Sequence, residues 1–257
     1  EIIWNGVVID TVDVDVPALE VDMVRGALND AGLGLSDVDC VMSNNGMMAS
    51  LDLAERCVRL ADGDAVRFDG AILATGARAR TLPGQADHPH LVVLRTLDDS
   101  LALRARIAGG GKRVVVVGAG FIGLEVAATA RTLGNDVLVL EAAPAPLIRG
   151  LGATMGNAVA AVHADHGVEV RCGVVIEGFA PGAVLIDGGW HEPADVVVVG
   201  IGVTPATEWL EGSGLTISDG VVCHPDLSTG VPLVYGAGDI VRWHNSLFEQ
   251  DMRVEHW

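Results

Sequence analysis

The chain has 257 residues, half of them apolar, and a formal net charge of −18. That length and apolar content can bury one large or two ordinary cores. So acidic a chain is not expected to bind nucleic acid, because phosphate contacts need clustered cations. No apolar run approaches the roughly 20 residues of a membrane span, and no charged-then-apolar leader opens the sequence. Cys40, Cys57, Cys172 and Cys223 form no C-x-x-C pair. They read as the reduced thiols of a cytoplasmic protein and argue against a redox disulfide.

In chain order, residues 1–48 open with an acidic strand, Val7–Val16, and an amphipathic helix, Pro17–Asp30. Leu19, Met23, Val24, Ala27 and Leu28 make the helix's apolar stripe, and Gly32 or Gly34 ends it. Residues 49–110 read as short strands and turns. One strand from Phe68 runs into Ala74-Thr75-Gly76, and a helix over Leu97–Ile107 is terminated by Gly109-Gly-Gly111. Val114–Val117 is a run of four β-branched residues, the pattern of a strand buried on both faces. It breaks into Gly118-Ala-Gly120-Phe-Ile-Gly123 and continues as a small-residue helix to Leu133; a second strand, Val137–Leu140, ends in Glu141. Beyond it, His163 and His166 stand three apart on a helix with Cys172 nearby. With no fourth ligand evident they read as solvated helix residues, so no metal is expected. Asp195–Val199 is a buried strand ending in Gly200-Ile-Gly202, and Val234–Gly236 another ending in Ala237-Gly238-Asp239. In open parallel sheets, ligands sit beyond such carboxyl ends.

The 113–141 unit carries the sharpest chemistry. Gly118 permits a tight turn, Gly120 lets backbone amides approach a pyrophosphate, and Gly123 lets helix and strand pack closely. The new helix points its positive end and free amides at the phosphates. Glu141 lies 18 residues beyond Gly123, where an acid accepts from the ribose hydroxyls. It would repel a 2′-phosphate, and Ala142-Ala-Pro144 supplies no cation to neutralise one, so NADH is expected over NADPH.

Taken together, these motifs resemble the flavoprotein ferredoxin reductases of the rubredoxin and putidaredoxin reductase type, within the pyridine nucleotide–disulfide oxidoreductase superfamily. The resemblance runs from about Ala49 to Trp257. It rests on Leu73-Ala-Thr-Gly-Ala-Arg78, Leu94-Arg-Thr96, Val117-Gly-Ala-Gly-Phe-Ile-Gly-Leu-Glu-Val-Ala-Ala128 and Gly200-Ile-Gly-Val203. Glu208-Trp-Leu-Glu-Gly-Ser-Gly-Leu215, Ala237-Gly-Asp239 and Arg253-Val-Glu-His-Trp257 complete it. It implies an α/β fold: a Rossmann-type NAD-binding domain, 112–213, inserted in an incomplete FAD-binding domain of related fold, 49–111 and 214–257. By resemblance, Asp239 would bond the flavin ribityl chain, and Thr75 and Gly76 would approach the same cofactor. Gly200 and Gly202 would join the dinucleotide site, Glu125 would act near the nicotinamide, and Glu255, His256 and Trp257 would sit beside the isoalloxazine. The implied activity is NADH-dependent reduction, through FAD, of a ferredoxin or similar small redox protein. Related NADH:acceptor oxidoreductases and a non-catalytic NAD-binding remnant are the alternatives.

The sequence also departs from the family. No G-x-G-x-x-G precedes Gly118, although the family opens with such a unit for the FAD pyrophosphate. Residues 1–48 match no part of the family; Ala27–Asp39 is faintly similar to a segment of thiolase-like enzymes. Ala79 replaces a usual Pro, and His224 lies where an Asp is usual. The chain stops at Trp257, where the family continues. The expectation is therefore NADH binding with little FAD retained. A net charge of −18 leaves partner docking to a local cluster, for which Arg78, Arg80, Arg242 and Arg253 are candidates.

Overall fold

The computed structural model describes residues 2–4, 7–9 and 48–255. The expected helix Pro17–Asp30 lies outside them, as does the expected opening strand beyond a short hairpin of Ile2–Trp4 with Val7–Ile9. The chain divides into two units, residues 78–203 and the two flanks taken together.

The 78–203 unit is built on a five-stranded parallel sheet in the order Val168–Cys172, Asp136–Glu141, Arg113–Val117, Val196–Val199, Leu91–Val92. The valine runs read as two-sided strands because they are two-sided, and alternate residues face different layers. Val114, Val116, Val137, Val139, Val196 and Val198 pack against helices α1 (Leu97–Ile107), α2 (Phe121–Thr132) and α3 (Ile148–Asp165). Val115, Val117, Leu138, Leu140, Val197 and Val199 pack against an antiparallel meander of Ile176–Ala180, Ala183–Ile186 and Trp190–Pro193. One face is covered by helices and the other by strands.

The boundaries differ from those read in the sequence. The division falls at 77/78 and 203/204, whereas 111/112 and 213/214 were expected. Leu91–Val92 pairs with Val197 and Val198, and Leu103 and Ile107 of α1 enter the core of the parallel sheet, which draws 78–111 into this unit. Trp209 and Leu210 pack instead with the flanking unit. A two-residue strand and one short apolar turn carry no local mark of the sheet they will join.

The flanking unit contains an antiparallel sheet of Met48–Asp52, Cys57–Leu60 and Ala65–Arg67. A parallel pair, Ala71–Leu73 with Val234–Gly236, and a sheet of Val221–Cys223, Val241–Asn245 and Gln250–Met252 follow. Leu51, Val58, Leu73, Trp209, Leu210, Val234 and Ile240 form its core. Among its described residues there is no α-helix. No described helix of either unit is long and apolar enough to cross a membrane.

Candidate functional site

In the 78–203 unit the fingerprint glycines meet at the carboxyl edge of the parallel sheet. Gly118 has φ 101°, which glycine adopts without strain, and a Cβ there would run into the Gly200 carbonyl oxygen. A Cβ on Gly123 would run into the carbonyl oxygen of Gly118. Gly200 stands beside them because its strand lies next to Arg113–Val117, and its amide donates to the Val117 carbonyl at 2.8 Å. Gly120 differs from all three. Its φ is −78°, and a Cβ would find no atom within 4 Å. The space in front of Gly120 is open, and no side chain caps the start of α2. The first amides of that helix have no intrahelical acceptor, so they are available to an anion.

Glu141 is tied to the same loop. Its carboxylate accepts from the Ala119 amide at 2.7 Å and from the Ala143 amide at 2.7 Å. The Gly118 amide donates to the Leu140 carbonyl at 2.7 Å, and the Leu147 amide to the Ala119 carbonyl at 3.0 Å. Cys172, opposite Glu141 on the neighbouring strand, has its thiol raised by burial and then by the Glu141 charge. No lysine or arginine occurs between Glu141 and Arg149, which is exposed in the first turn of α3. Glu125 is exposed on α2 and makes no hydrogen bond or ion pair among the described residues, so it is not committed to a neighbouring cation. Gly202 has φ 98°, faces open space, and its carbonyl accepts from the Arg80 amide at 2.9 Å.

In the flanking unit, Ala74-Thr75-Gly76 and Ala237-Gly238-Asp239 follow the two strands of one parallel pair, and the Ala237 amide donates to the Leu73 carbonyl at 2.9 Å. The two turns therefore meet at one sheet edge, as strand ends in a common sheet should. Thr75 is already engaged: its hydroxyl donates to the Ala206 carbonyl at 2.9 Å and accepts from Trp209 Nε1 at 3.4 Å. Gly76 has φ 65°, and its carbonyl accepts from the Ala206 amide at 2.9 Å. Asp239 is buried. Glu255 is exposed and pairs with Arg253 at 3.3 Å, whereas His256 and Trp257 lie outside the described residues. Arg253, whose side chain is only 11% exposed, also pairs with Asp219, and Arg242 pairs with Asp251 at 3.8 Å. Arg242 and Arg253 are thus held by acids of their own unit.

Other features stand apart. An open groove of about 520 Å³ is lined by Arg131, His163 and His166 at the carboxyl ends of α2 and α3, away from the glycine loop. Its arginine donates to the Asn135 and His166 carbonyls. His163 is lowered by burial and then by His166. Among the described residues no three His, Cys, Asp or Glu side chains gather as a metal would need. Asn135, the Thr75–Trp209 contact and the Arg113–Glu192 pairing have no local signal in the sequence, since Lys112, Ile107, Trp209 and Glu192 lie more than 20 residues from the groups they meet.

Residues 34–257 match the family model described as pyridine nucleotide-disulphide oxidoreductase, so 34–48, expected to match no part of the family, fall within the match. Putidaredoxin reductase of Pseudomonas putida is 36% identical over 77% of this chain and 49% of its own length. The anthranilate 1,2-dioxygenase system ferredoxin–NAD(+) reductase component of Burkholderia cepacia is 37% identical over 78% of this chain and 50% of its own. The solved covalent putidaredoxin reductase–putidaredoxin complex superimposes with a TM-score of 0.78 at 31% identity, covering 93% of this chain and 61% of that one. The chain spans about half the length of the curated relatives it matches.

Proposed function

The chain belongs to the pyridine nucleotide-disulphide oxidoreductase family, and on that premise we propose that it binds NADH at Gly118–Gly123 as the electron-donor half of a ferredoxin reductase. The observation that carries this reading is the space in front of Gly120, bounded by uncapped helix amides and by Glu141. The amides and the positive helix end hold the pyrophosphate. Glu141 accepts from the adenosine ribose and repels a 2′-phosphate. Gly200 and Gly202 keep the floor of the site low, and Glu125 lies beside the nicotinamide end, where its unpaired carboxylate orients the carboxamide or the partner cofactor.

A flavin in such a protein supplies the conversion of one hydride into two single electrons. The fit of FAD to the described residues is incomplete. Asp239, Thr75 and Gly76 provide a sheet edge for a ribityl chain, and Glu255 would flank the ring. The flanking unit has no α-helix among its described residues to receive a second pyrophosphate, and the Thr75 hydroxyl is taken by Ala206 and Trp209. The whole sequence holds one G-x-G-x-x-G. These observations favour a second reading, a nucleotide-binding chain that holds NADH without turnover. In the first reading the acceptor is a ferredoxin-type iron–sulfur protein and the compartment is the cytoplasm.

Titration of the purified chain separates the readings. NADH should bind at least about tenfold more tightly than NADPH, a difference of ~1.4 kcal/mol. Equal affinities would overturn the assignment of Glu141. Flavin absorbance near about 450 nm, with NADH-dependent reduction of a ferredoxin, supports the reductase; NADH binding without either supports the second reading.

A further inference from the structure

We propose that Glu141 is a positioning residue that sets the shape of the glycine loop, in addition to any contact it makes with a ribose; this rests on the reading that the loop holds a dinucleotide. Both carboxylate oxygens are already bonded to backbone, Oε2 to the Ala119 amide and Oε1 to the Ala143 amide, each at 2.7 Å. Ala119 sits between Gly118 and Gly120 and is 1% exposed. Without Glu141 its amide would be a buried donor with no acceptor, which a chain relieves by moving. Glycines on either side make that movement easy, because they restrict the backbone least. Main-chain bonds also hold the turn, from the Gly118 amide to Leu140 and from the Leu147 amide to Ala119.

A carboxylate offers about four acceptor positions. Two are occupied by amides, which leaves two for hydroxyl groups. One side chain therefore joins the ribose end of the site to the phosphate end. Replacing it should weaken ligands that make no ribose hydroxyl contact at all, and this separates the proposal from recognition of the ribose alone. A carboxamide at this position keeps one acceptor oxygen, so Glu141→Gln should preserve one tie and Glu141→Ala neither.

The test uses the full chain with NADH and with an NADH analogue whose adenosine ribose lacks both hydroxyls. Exchange of the Ala119 amide is followed in parallel by NMR. Glu141→Ala should weaken the dideoxy analogue at least about tenfold, with Glu141→Gln intermediate. It should also speed Ala119 exchange while amides of the sheet stay protected. A general loss of stability would move the melting temperature and the sheet amides together, without singling out Ala119. If Glu141→Ala does not fold, Glu141→Gln carries both measurements. Unchanged affinity for the analogue, or unchanged protection of Ala119, would overturn the proposal and leave dinucleotide binding standing. Failure of the unmodified chain to bind NADH would overturn both.

Discussion

At Asn135 one buried side chain closes three backbone ends. Its Nδ2 donates to the Ile107 carbonyl at 3.0 Å and the Ala130 carbonyl at 2.9 Å, and its Oδ1 accepts from the Lys112 amide at 3.1 Å. Asn135→Leu would leave the Lys112 amide without its acceptor and take one donor each from the Ile107 and Ala130 carbonyls, which keep bonds from the Gly110 and Asn135 amides. The expected loss is about 1–3 kcal/mol, read from urea unfolding. The glycines give a sharper contrast. Gly118→Ala and Gly123→Ala place a methyl group on a carbonyl oxygen, and each should cost both stability and NADH binding. Gly120→Ala has room and an ordinary φ, so unfolding should change by less than about 1 kcal/mol while NADH binding falls. Equal stability losses at all three positions would mean that the loop is not arranged for a ligand. The glycines are legible in sequence because their partners lie within one turn or the next strand. Asn135 is not, since two of its three partners come from the two helices that precede it, and a Gly-Asn pair usually reads as a turn.

Among the elements, the parallel sheet and its covering meander are joined by charge. Arg113 pairs with Asp136 and Glu192 at 2.8 Å, and Arg171 with Glu192 at 2.7 Å. Burial pushes the Glu192 carboxyl up, but hydrogen bonds from Arg113 and Arg171 outweigh it and hold the group below its ordinary value. A carboxylate lowered on folding contributes its full stability above its unfolded value and loses it as pH falls through the folded one. Stability should therefore drop on the acid side of the ordinary Glu range. Glu192→Gln should flatten that limb and cost about 1–3 kcal/mol at neutral pH, measured as melting temperature against pH. An acid limb unchanged in the variant would assign it to other carboxylates. Helix α1 supplies a smaller case: Thr96 accepts from the Asp99 amide at 3.1 Å, and Asp99 accepts from the Thr96 amide at 2.9 Å. Thr96→Ala should cost about 1 kcal/mol. Leu97–Ile107 was readable as a helix because its cap and its glycine stop are local. The meander on the far face of the sheet was not, because its strands are short and the valine runs demand only that something apolar cover them.

For the whole molecule, the strand ends and glycine turns were visible in their order along the chain, and the family followed from them. Which segment joins which unit was not, because that depends on pairings such as Leu91 with Val197, more than 100 residues apart. Thiol chemistry follows burial: Cys57 and Cys223 are buried, and burial pushes the Cys223 thiol up to about 11. Cys223 should resist a thiol reagent at pH 8 until the chain is unfolded, and rapid labelling would argue that the flanking unit opens readily. The 78–203 unit also joins its own two ends. The Arg80 amide donates to the Gly202 carbonyl at 2.9 Å, and Arg80 Nε to the Val203 carbonyl at 3.0 Å. A segment that enters and leaves at one point can be lifted out with little loop-closure cost. Residues 78–203 should then fold when expressed alone and keep the NADH affinity of the full chain. Such a segment is also a transferable cassette: spliced between two neighbouring strand ends of an unrelated host, it would bring a complete nucleotide-reading module and ask of that host only a gap a few ångströms wide.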